Sequence, residues 1–325
     1  MKIVLLSLTL LLMGCNSKVE INVGSSVELT KWNETENTKG LIKYIKDSAT
    51  EGHENYVPPI DRIAVFDNDG TLWSEQPFYY PVQALLDFYK EIIVIKHKKG
   101  ISSVDTILKN GVHKASKKDL VFVLKTIQSG TTNEEFEQFV KLWLTTKKHK
   151  KFEKLYYKMT YAPMTELLNI LKENDYEVFM VTGGETQFAR VLNRISYQLP
   201  EQNIIGTTFS KKVIEEDGQM KVIRTNDDFF LNDKEGKIVS IVEKIGKVPT
   251  IAFGNSDGDF AMLKYTKLNS KYKTYAAVIR HDDEPREFLY DRETHVGKLD
   301  KVLDESSKYG IEIISMKKDF KILFE

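Results

Sequence analysis

Four short apolar runs, each of which breaks into a polar cluster, constrain the fold of this 325-residue chain more than any other feature. The runs begin at Ile63, Glu177, Thr250 and Tyr275, and read IAVF before DNDGT, EVFMV before TGGET, TIAF before GNSDGD and YAAVI before RHDDE. Such runs are typical of strands buried on both faces of a parallel sheet. Helix-like stretches, QFARVLNRI and FAMLKY, follow the second and third runs. This alternation predicts a doubly wound, mostly parallel α/β sheet.

A long segment separates the first two predicted strands, from residue 73 to residue 161. Its apolar residues recur at helical spacing, as in VQALLDFYKEIIVI and NEEFEQFVKLWL. We interpret it as a helical cap, inserted into a catalytic core made of residues 39–72 and 162–325. Within that core, KVIEEDGQMKVIRT carries Asp217-Gly218 between alternating runs, which predicts a β-hairpin.

The polar clusters are expected to meet, because ligands of such sheets bind beyond the carboxyl ends of the strands. Asp67 and Asp69 flank Asn68 at the end of the first strand, so two carboxylates can converge on one cation and one reacting group. Gly70 gives the backbone freedom to turn there. The composition D-N-D-G also suits an ordinary turn that closes a strand.

Thr182, Gly183 and Gly184 follow the second strand and offer a hydroxyl group and backbone N–H groups ahead of a helix. This combination predicts a phosphate-binding turn. A glycine-rich connection between strand and helix is the alternative interpretation.

Asn255, Asp257 and Asp259 supply oxygen ligands beyond the third strand, and oxygen donors suit Mg²⁺. The alternative for Asp257 is N-capping of the following helix. Three such clusters in this order, each at a strand end, favour a catalytic site over three independent turns.

The segments FDNDGTL, VTGG and GNSDGDFAML resemble motifs of the haloacid dehalogenase superfamily, and most closely those of its phosphoserine-phosphatase-like branch with a helical cap. The resemblance extends from about Ile63 to Arg292. It implies a Rossmann-like core in which Asp67 is a nucleophile that forms an aspartyl-phosphate. It further implies that Asp69 is the general acid and base and that Thr182 holds the phosphoryl oxygens.

The superfamily also places a lysine between the second and last motifs. Four lysines compete for that role here: Lys234, Lys237, Lys244 and Lys247. Lys237, in DKEGKIVSI, resembles the family best, and it would offset negative charge between Asp67 and the phosphoryl group.

The last motif departs from the superfamily, which usually carries an aspartate where this chain has Asn255. An amide oxygen coordinates Mg²⁺ without contributing charge, so either Asn255 or Asp257 is the ligand in that loop. The complete set of expected Mg²⁺ ligands is Asp67, Asp69, Asn255, Asp257 and Asp259. Gly183, Gly184 and Glu75 are the residues expected to contact the substrate.

Asp69 favours phosphate ester chemistry, since dehalogenases and P-type ATPases have no carboxylate at that position. We therefore expect a phosphatase that acts on a small phosphorylated metabolite. The alternatives are a catalytically weak protein that binds phosphorylated ligands, which Asn255 favours, and a phosphotransferase or phosphomutase.

The N-terminus, MKIVLLSLTLLLMGCNSK, combines a positive start, a short apolar run and a cysteine after Gly14. It resembles the signal peptide and lipobox of bacterial lipoproteins, over residues 1–15, with Cys15 as the lipidated residue. Two or more acyl chains on one residue anchor a protein stably. Residues 16–38 are then expected to form a tether that leaves the protein outside the cytoplasm, facing the periplasm or the cell exterior.

Composition excludes several other classes of protein. Lys plus Arg and Asp plus Glu both number 47, which gives no net field to attract nucleic acid. Cys15 is the single cysteine, so an intramolecular disulfide and a cysteine-based zinc site are excluded. The sequence does not indicate an oligomeric state.

Overall fold

A central β-sheet organises the computed structural model, which describes residues 27–97, 100–110 and 117–325. These residues form an eight-stranded sheet in the order β4-β3-β2-β1-β5-β6-β7, with β8 also paired to β6. Pairing is parallel except for β3 with β4 and β6 with β7. The predicted α/β fold is confirmed. The strands are β1 Ile63–Phe66, β2 Glu177–Glu185, β3 Ile204–Glu216, β4 Gln219–Phe230, β5 Ile251–Gly254, β6 Tyr275–Asp282, β7 Leu289–Tyr290 and β8 Glu312–Ser315.

Apolar side chains cover both faces of this sheet. Along β1, Ala64 and Phe66 belong to one buried apolar cluster, whereas Ile63 and Val65 belong to the other. Because successive side chains of a strand point to opposite faces, a strand covered on both sides must be apolar at every position. This requirement explains the continuous run IAVF.

Helices surround the sheet and also form most of the described segment between β1 and β2. That segment contains α2 to α7, of which α2 to α6 lie in the predicted cap, and a π-helical turn, Tyr89–Ile93, joins α2 to α3. The described helices are α1 Glu36–Ala49, α2 Tyr80–Phe88, α3 Val94–His97, α4 Ser102–Asn110, α5 Lys117–Gln128, α6 Asn133–Thr146, α7 Ala162–Glu173, α8 Thr186–Ser196, α9 Glu235–Ser240, α10 Phe260–Lys267, α11 Lys301–Tyr309 and α12 Met316–Asp319. Within the described residues, none of these helices combines the length and apolar character that a membrane span requires.

The predicted hairpin is present as β3 and β4. Glu216 pairs with Gln219, and the two intervening residues, Asp217 and Gly218, both have positive φ angles of 53° and 71°. Two consecutive positive φ angles define the type I′ turn that matches the twist of antiparallel strands. The hairpin therefore follows from its Asp-Gly pair.

The predicted tether over residues 16–38 is wrong for its described part, residues 27–38. Trp32 is buried, its indole Nε1 donates to the carbonyl of Pro163 at 3.0 Å, and its ring lies 4.9 Å from that of Phe320. Thr35 caps α1 by accepting a hydrogen bond from the Thr38 N–H at 3.2 Å. Burial of an indole outweighs the polar composition of this segment, so it belongs to the folded core. The predicted signal peptide and lipobox lie outside the described residues.

Candidate active site

The first site loop leaves β1 and turns sharply around one carbonyl group. The carbonyl of Asn68 accepts hydrogen bonds from the N–H groups of Thr71, Leu72 and Trp73, at 3.1, 2.8 and 3.0 Å. Gly70 completes the turn with a φ of +77°, in the left-handed region that favours glycine. The Asp67 N–H remains paired with β5, at 3.0 Å from the Phe253 carbonyl. The turn therefore presents Asp67 and Asp69 at the carboxyl end of the sheet.

Lys237 is the lysine, among the four candidates, that the structure brings to Asp67. Its Nζ lies 2.5 Å from Asp67 Oδ1, 2.6 Å from Asp259 Oδ1 and 2.7 Å from the carbonyl oxygen of Val181. All three hydrogens of the ammonium group thus have acceptors. Lys247 instead pairs with Asp61 near the surface, at 3.3 Å. The structure resolves the ambiguity among the lysines in favour of a buried ion pair centred on Lys237.

Asp69 lies beside Thr182 and a tyrosine from the cap. Its Oδ2 accepts hydrogen bonds from the hydroxyl groups of Tyr79, at 3.1 Å, and Thr182, at 3.3 Å. Its other oxygen, Oδ1, is buried and has no hydrogen-bond partner. A buried carboxylate oxygen without a protein partner is rare, and it is a position at which a proton, an ion or a substrate atom can bind.

The glycines of the second loop extend β2 instead of opening a helix. β2 continues through Glu185, whose side chain accepts from the Phe188 N–H at 2.8 Å and so caps α8. The Gly184 N–H donates to Thr182 Oγ1 at 2.9 Å, and Gly183 lines the site cavity. The expected turn ahead of a helix is therefore extended strand, and the Gly184 N–H already has a partner.

Asn255, at the end of β5, is held by a buried carboxyl group. Its Nδ2 donates to Glu75 Oε1 at 2.6 Å, and its Oδ1 accepts from the Thr71 hydroxyl at 3.3 Å. Tyr290 also donates to Glu75 Oε1, at 2.9 Å. Glu75 was expected to contact the substrate. Glu75 lines the site cavity, but one of its carboxyl oxygens accepts hydrogen bonds from both Asn255 and Tyr290.

Asp257 and Asp259 do not take the places expected of metal ligands. Asp257 binds the N–H groups of Asp300 and Val302 through Oδ1, both at 3.1 Å, and that of Lys301 through Oδ2 at 3.2 Å. It thereby caps α11. The alternative from the sequence, in which Asp257 caps the helix directly after it, is therefore wrong about which helix is capped. Asp259 Oδ2 accepts from the Asn255 N–H at 2.9 Å.

Burial shifts the pKa values of the site. Burial, together with the charge of Asp259, raises the pKa of Asp67 well above its usual range, although Lys237 opposes the shift. Burial raises the pKa of Asp69 to about 6, against the hydrogen bond from Tyr79. Burial and then the charge of Asp69 raise the pKa of Glu75. Burial lowers the pKa of Lys237, but the charges of Asp259 and Asp67 outweigh it and the net shift is upward.

The donor set fits a hard cation with few protein ligands. Asp67, Asp69, Glu75 and Asp259 are four buried carboxyl groups, and Lys237 is the ammonium group that contacts two of them. A bound cation would offset the excess of carboxyl groups over ammonium groups. In the described parts of the chain, no three or more His, Cys, Asp or Glu side chains are arranged to hold a metal. Mg²⁺ commonly binds one or two carboxylates and keeps several waters, so the absence of a larger ligand group among the described residues is compatible with Mg²⁺.

A cavity of about 630 Å³ is lined by Glu75 and by Tyr79, whose hydroxyl group bonds to Asp69. The cap contributes Phe78, Tyr79 and Val82 to its wall, and the core contributes Gly183 and Leu231. A volume in this range accommodates a small organic molecule. A second cavity of similar volume, about 620 Å³, lies beside β3 and contains none of the strand-end acids.

Sequence reasoning missed Tyr79 and the partners of Asn255. Tyr79 stands in the run FYY, whose aromatic composition predicts burial but not a hydrogen bond to a carboxylate. Glu75 and Asn255 are 180 residues apart, and no periodicity connects them. His281 is buried beneath the first loop, with Nε2 2.8 Å from the Gly70 carbonyl.

A family model and one solved structure with a TM-score above 0.5 agree with the fold. A family model described as haloacid dehalogenase-like hydrolase matches residues 62–265. A conserved protein of unknown function from Anaerococcus prevotii has a similar structure, with a TM-score of 0.55 and 14% identity, over 89% of this chain and 93% of that one. A phosphoserine phosphohydrolase-like protein from Francisella tularensis matches with a TM-score of 0.39 and 15% identity, over 67% and 87% of the two chains. No curated protein is similar enough to the chain to count as a match.

Proposed function

This chain belongs to the haloacid dehalogenase-like hydrolase family, and from that premise we propose that it is a Mg²⁺-dependent phosphatase of small phosphate monoesters. One observation carries the proposal. Asp67 is fixed by Lys237 at the strand ends, and two residues later Asp69 holds a buried carboxyl oxygen without a partner. A nucleophilic carboxylate and a separate acid–base carboxyl group are the two groups that hydrolysis through an aspartyl-phosphate requires.

The first half-reaction transfers the phosphoryl group to the protein. An Asp67 carboxylate oxygen attacks phosphorus, the bond between phosphorus and the ester oxygen breaks, and Asp69 gives its proton to the leaving oxygen. The pKa of Asp69, raised to about 6 by burial, keeps a protonated fraction available near neutral pH. Lys237 holds the attacking carboxylate in place and offsets its charge.

The second half-reaction regenerates the protein. Asp69, now ionised, accepts a proton from a water molecule that attacks phosphorus, and the bond to Asp67 breaks to release phosphate. Mg²⁺, bound through Asp67 and the Asn255 amide oxygen, would supply positive charge next to the phosphoryl oxygens. The Thr182 hydroxyl donates to Asp69 Oδ2 at 3.3 Å, and it can donate to a phosphoryl oxygen instead when the substrate is bound.

Hydrolysis of p-nitrophenyl phosphate by the full chain in mild detergent tests the proposal. We expect phosphate release that EDTA abolishes and Mg²⁺ restores, and none above background for the Asp67→Asn variant, because an amide is not a competent nucleophile. Activity that survives EDTA would contradict the metal requirement, and activity in Asp67→Asn would contradict the assignment of the nucleophile.

We also propose that the protein is exported and anchored to a membrane through lipidated Cys15. Support comes from the sequence of residues 1–15 alone. If the proposal is correct, Cys15→Ser should move the processed protein from the membrane fraction to the soluble fraction. Persistence in the membrane fraction after a high-salt wash would contradict it.

A further inference from the structure

Glu75 and Asn255 form a pair that is packed from both sides. The Glu75 carboxyl group is buried, and Asn255 is 1% exposed. Gly70 and Gly297 lie against their hydrogen bond, and a Cβ atom at Gly70 would overlap both side chains, whereas one at Gly297 would overlap Glu75. The bond therefore has no room to be replaced by water or by a longer contact.

The chemistry of Glu75 dictates the residue that can face it. Glu75 Oε1 accepts hydrogen bonds from Asn255 Nδ2, at 2.6 Å, and from the Tyr290 hydroxyl, at 2.9 Å, so position 255 must supply a donor. An asparagine satisfies this requirement through Nδ2, and an aspartate does not. The same bond turns the amide so that Oδ1 lies on the opposite side, towards Thr71 and the nucleophile loop.

We infer that Glu75 is a positioning residue that requires an amide donor at position 255 and fixes the direction in which the Asn255 amide oxygen points. A carboxyl group that accepts from a ligand's donor group fixes the orientation of that ligand. The departure of Asn255 from the family's aspartate is thus matched within the chain by Glu75. The part of the inference that concerns Mg²⁺ rests on the proposed function, whereas the pairing itself does not.

Exchanging the two residue types tests the pairing. Asn255→Asp leaves two carboxylates in contact, and the double variant Glu75→Gln/Asn255→Asp restores a donor and keeps the total charge. Unfolding in urea with EDTA should show a large loss of stability for Asn255→Asp alone, and a much smaller loss when Asn255→Asp is combined with Glu75→Gln. Glu287→Gln is the matched control, because Glu287 is buried but bonds to Tyr161 and His281. It should not rescue Asn255→Asp.

Mg²⁺ binding, measured by calorimetry without substrate, tests the positioning role. Removal of an outer carboxylate partner typically weakens metal binding by about 10–100-fold, so Glu75→Gln should raise the Mg²⁺ dissociation constant by at least about tenfold. The double variant Glu75→Gln/Asn255→Asp should have a Mg²⁺ dissociation constant close to the wild-type value. A purely structural role for Glu75 would leave the dissociation constant unchanged.

The outcomes separate this inference from the proposed function. An equal loss of stability for Asn255→Asp in both backgrounds, or failure of the exchanged pair to fold, overturns the pairing. An unchanged Mg²⁺ dissociation constant in Glu75→Gln overturns the positioning role. Absence of Mg²⁺ binding by the wild-type protein overturns the metal requirement and with it the positioning role, while the stability measurements in EDTA still decide the pairing.

Discussion

The two sides of the site stabilise buried carboxyl groups in different ways. On one side Lys237 bonds to Asp67 and Asp259, so opposite charges compensate each other. On the other side the donors that bond to Glu75 are neutral, those of Asn255 and Tyr290. Burial is therefore offset by an opposite charge at Lys237 and by neutral hydrogen bonds at Glu75, and a cation on the Asn255 side would add positive charge where Glu75 has no ammonium partner among the described residues.

Removal of the ammonium group should have the largest effect on stability. Lys237→Met leaves Asp67 and Asp259 buried without a counter-charge, and loss of one partner of a buried ion pair costs about 3–5 kcal/mol. The free energy of unfolding by urea measures this cost. Lys247→Met is the control, because its pair with Asp61 is near the surface and such pairs contribute about 0–1 kcal/mol. Equal losses of stability in Lys237→Met and Lys247→Met would contradict the stabilising role of the buried ion pair between Lys237 and the two carboxyl groups.

Asp69 bonds to Tyr79 and Thr182, on neither of the two sides, and its replacement should affect catalysis. Asp69→Asn removes the proton donor, a loss of roughly 10²–10⁴-fold in rate. The loss should be greatest for alkyl phosphates, whose leaving oxygens need the proton most, and smaller for p-nitrophenyl phosphate. Comparison of kcat/KM on both substrates gives the result. Identical losses would remove Asp69 from the role of general acid.

A neutral donor should matter less than the ammonium group does. Tyr290→Phe keeps the ring that stacks on His281, with centroids 4.2 Å apart, and removes only the hydroxyl that donates to Glu75. One hydrogen bond of this kind contributes about 1 kcal/mol to stability. We expect urea unfolding to show that loss. A loss of stability as large as that of Lys237→Met would mean that a neutral donor stabilises a buried carboxyl group as strongly as an ammonium group does.

The smallest effect on Mg²⁺ dependence is expected at Asp257, which belongs to neither side. Asp257→Asn weakens the cap of α11, at a cost of about 0.5–2 kcal/mol. The Mg²⁺ concentration for half-maximal activity should stay the same, because the carboxylate faces backbone N–H groups. A shift of several-fold in that concentration would return Asp257 to the metal ligands.

The sequence predicts those parts of the fold and site that depend on local pattern. The run IAVF and the Asp-Gly turn specify a buried strand and a hairpin from neighbouring residues alone. Asp67 and Asp69 directly follow β1, and Thr182 follows the part of β2 that pairs with β1, so parallel pairing brings them together.

Partners that lie far apart along the chain could not be predicted in this way. Asp257 caps a helix more than 40 residues later, and Glu75 meets Asn255 across 180 residues. Trp32 is buried although its neighbours are polar, because its indole meets residues near the opposite end of the chain. Each of these contacts depends on tertiary packing, which local composition does not record.

The central claim is that Asp67 carries the phosphoryl group during turnover. A single turnover with a phosphate ester labelled with radioactive phosphorus, quenched in acid and followed by peptide mapping, tests it most directly. We expect a transient label on the peptide that contains Asp67. The label should be removed by hydroxylamine, as acyl phosphates are, and it should be missing in Asp67→Asn. Product formation without any labelled protein, or a label on another residue, would contradict the account.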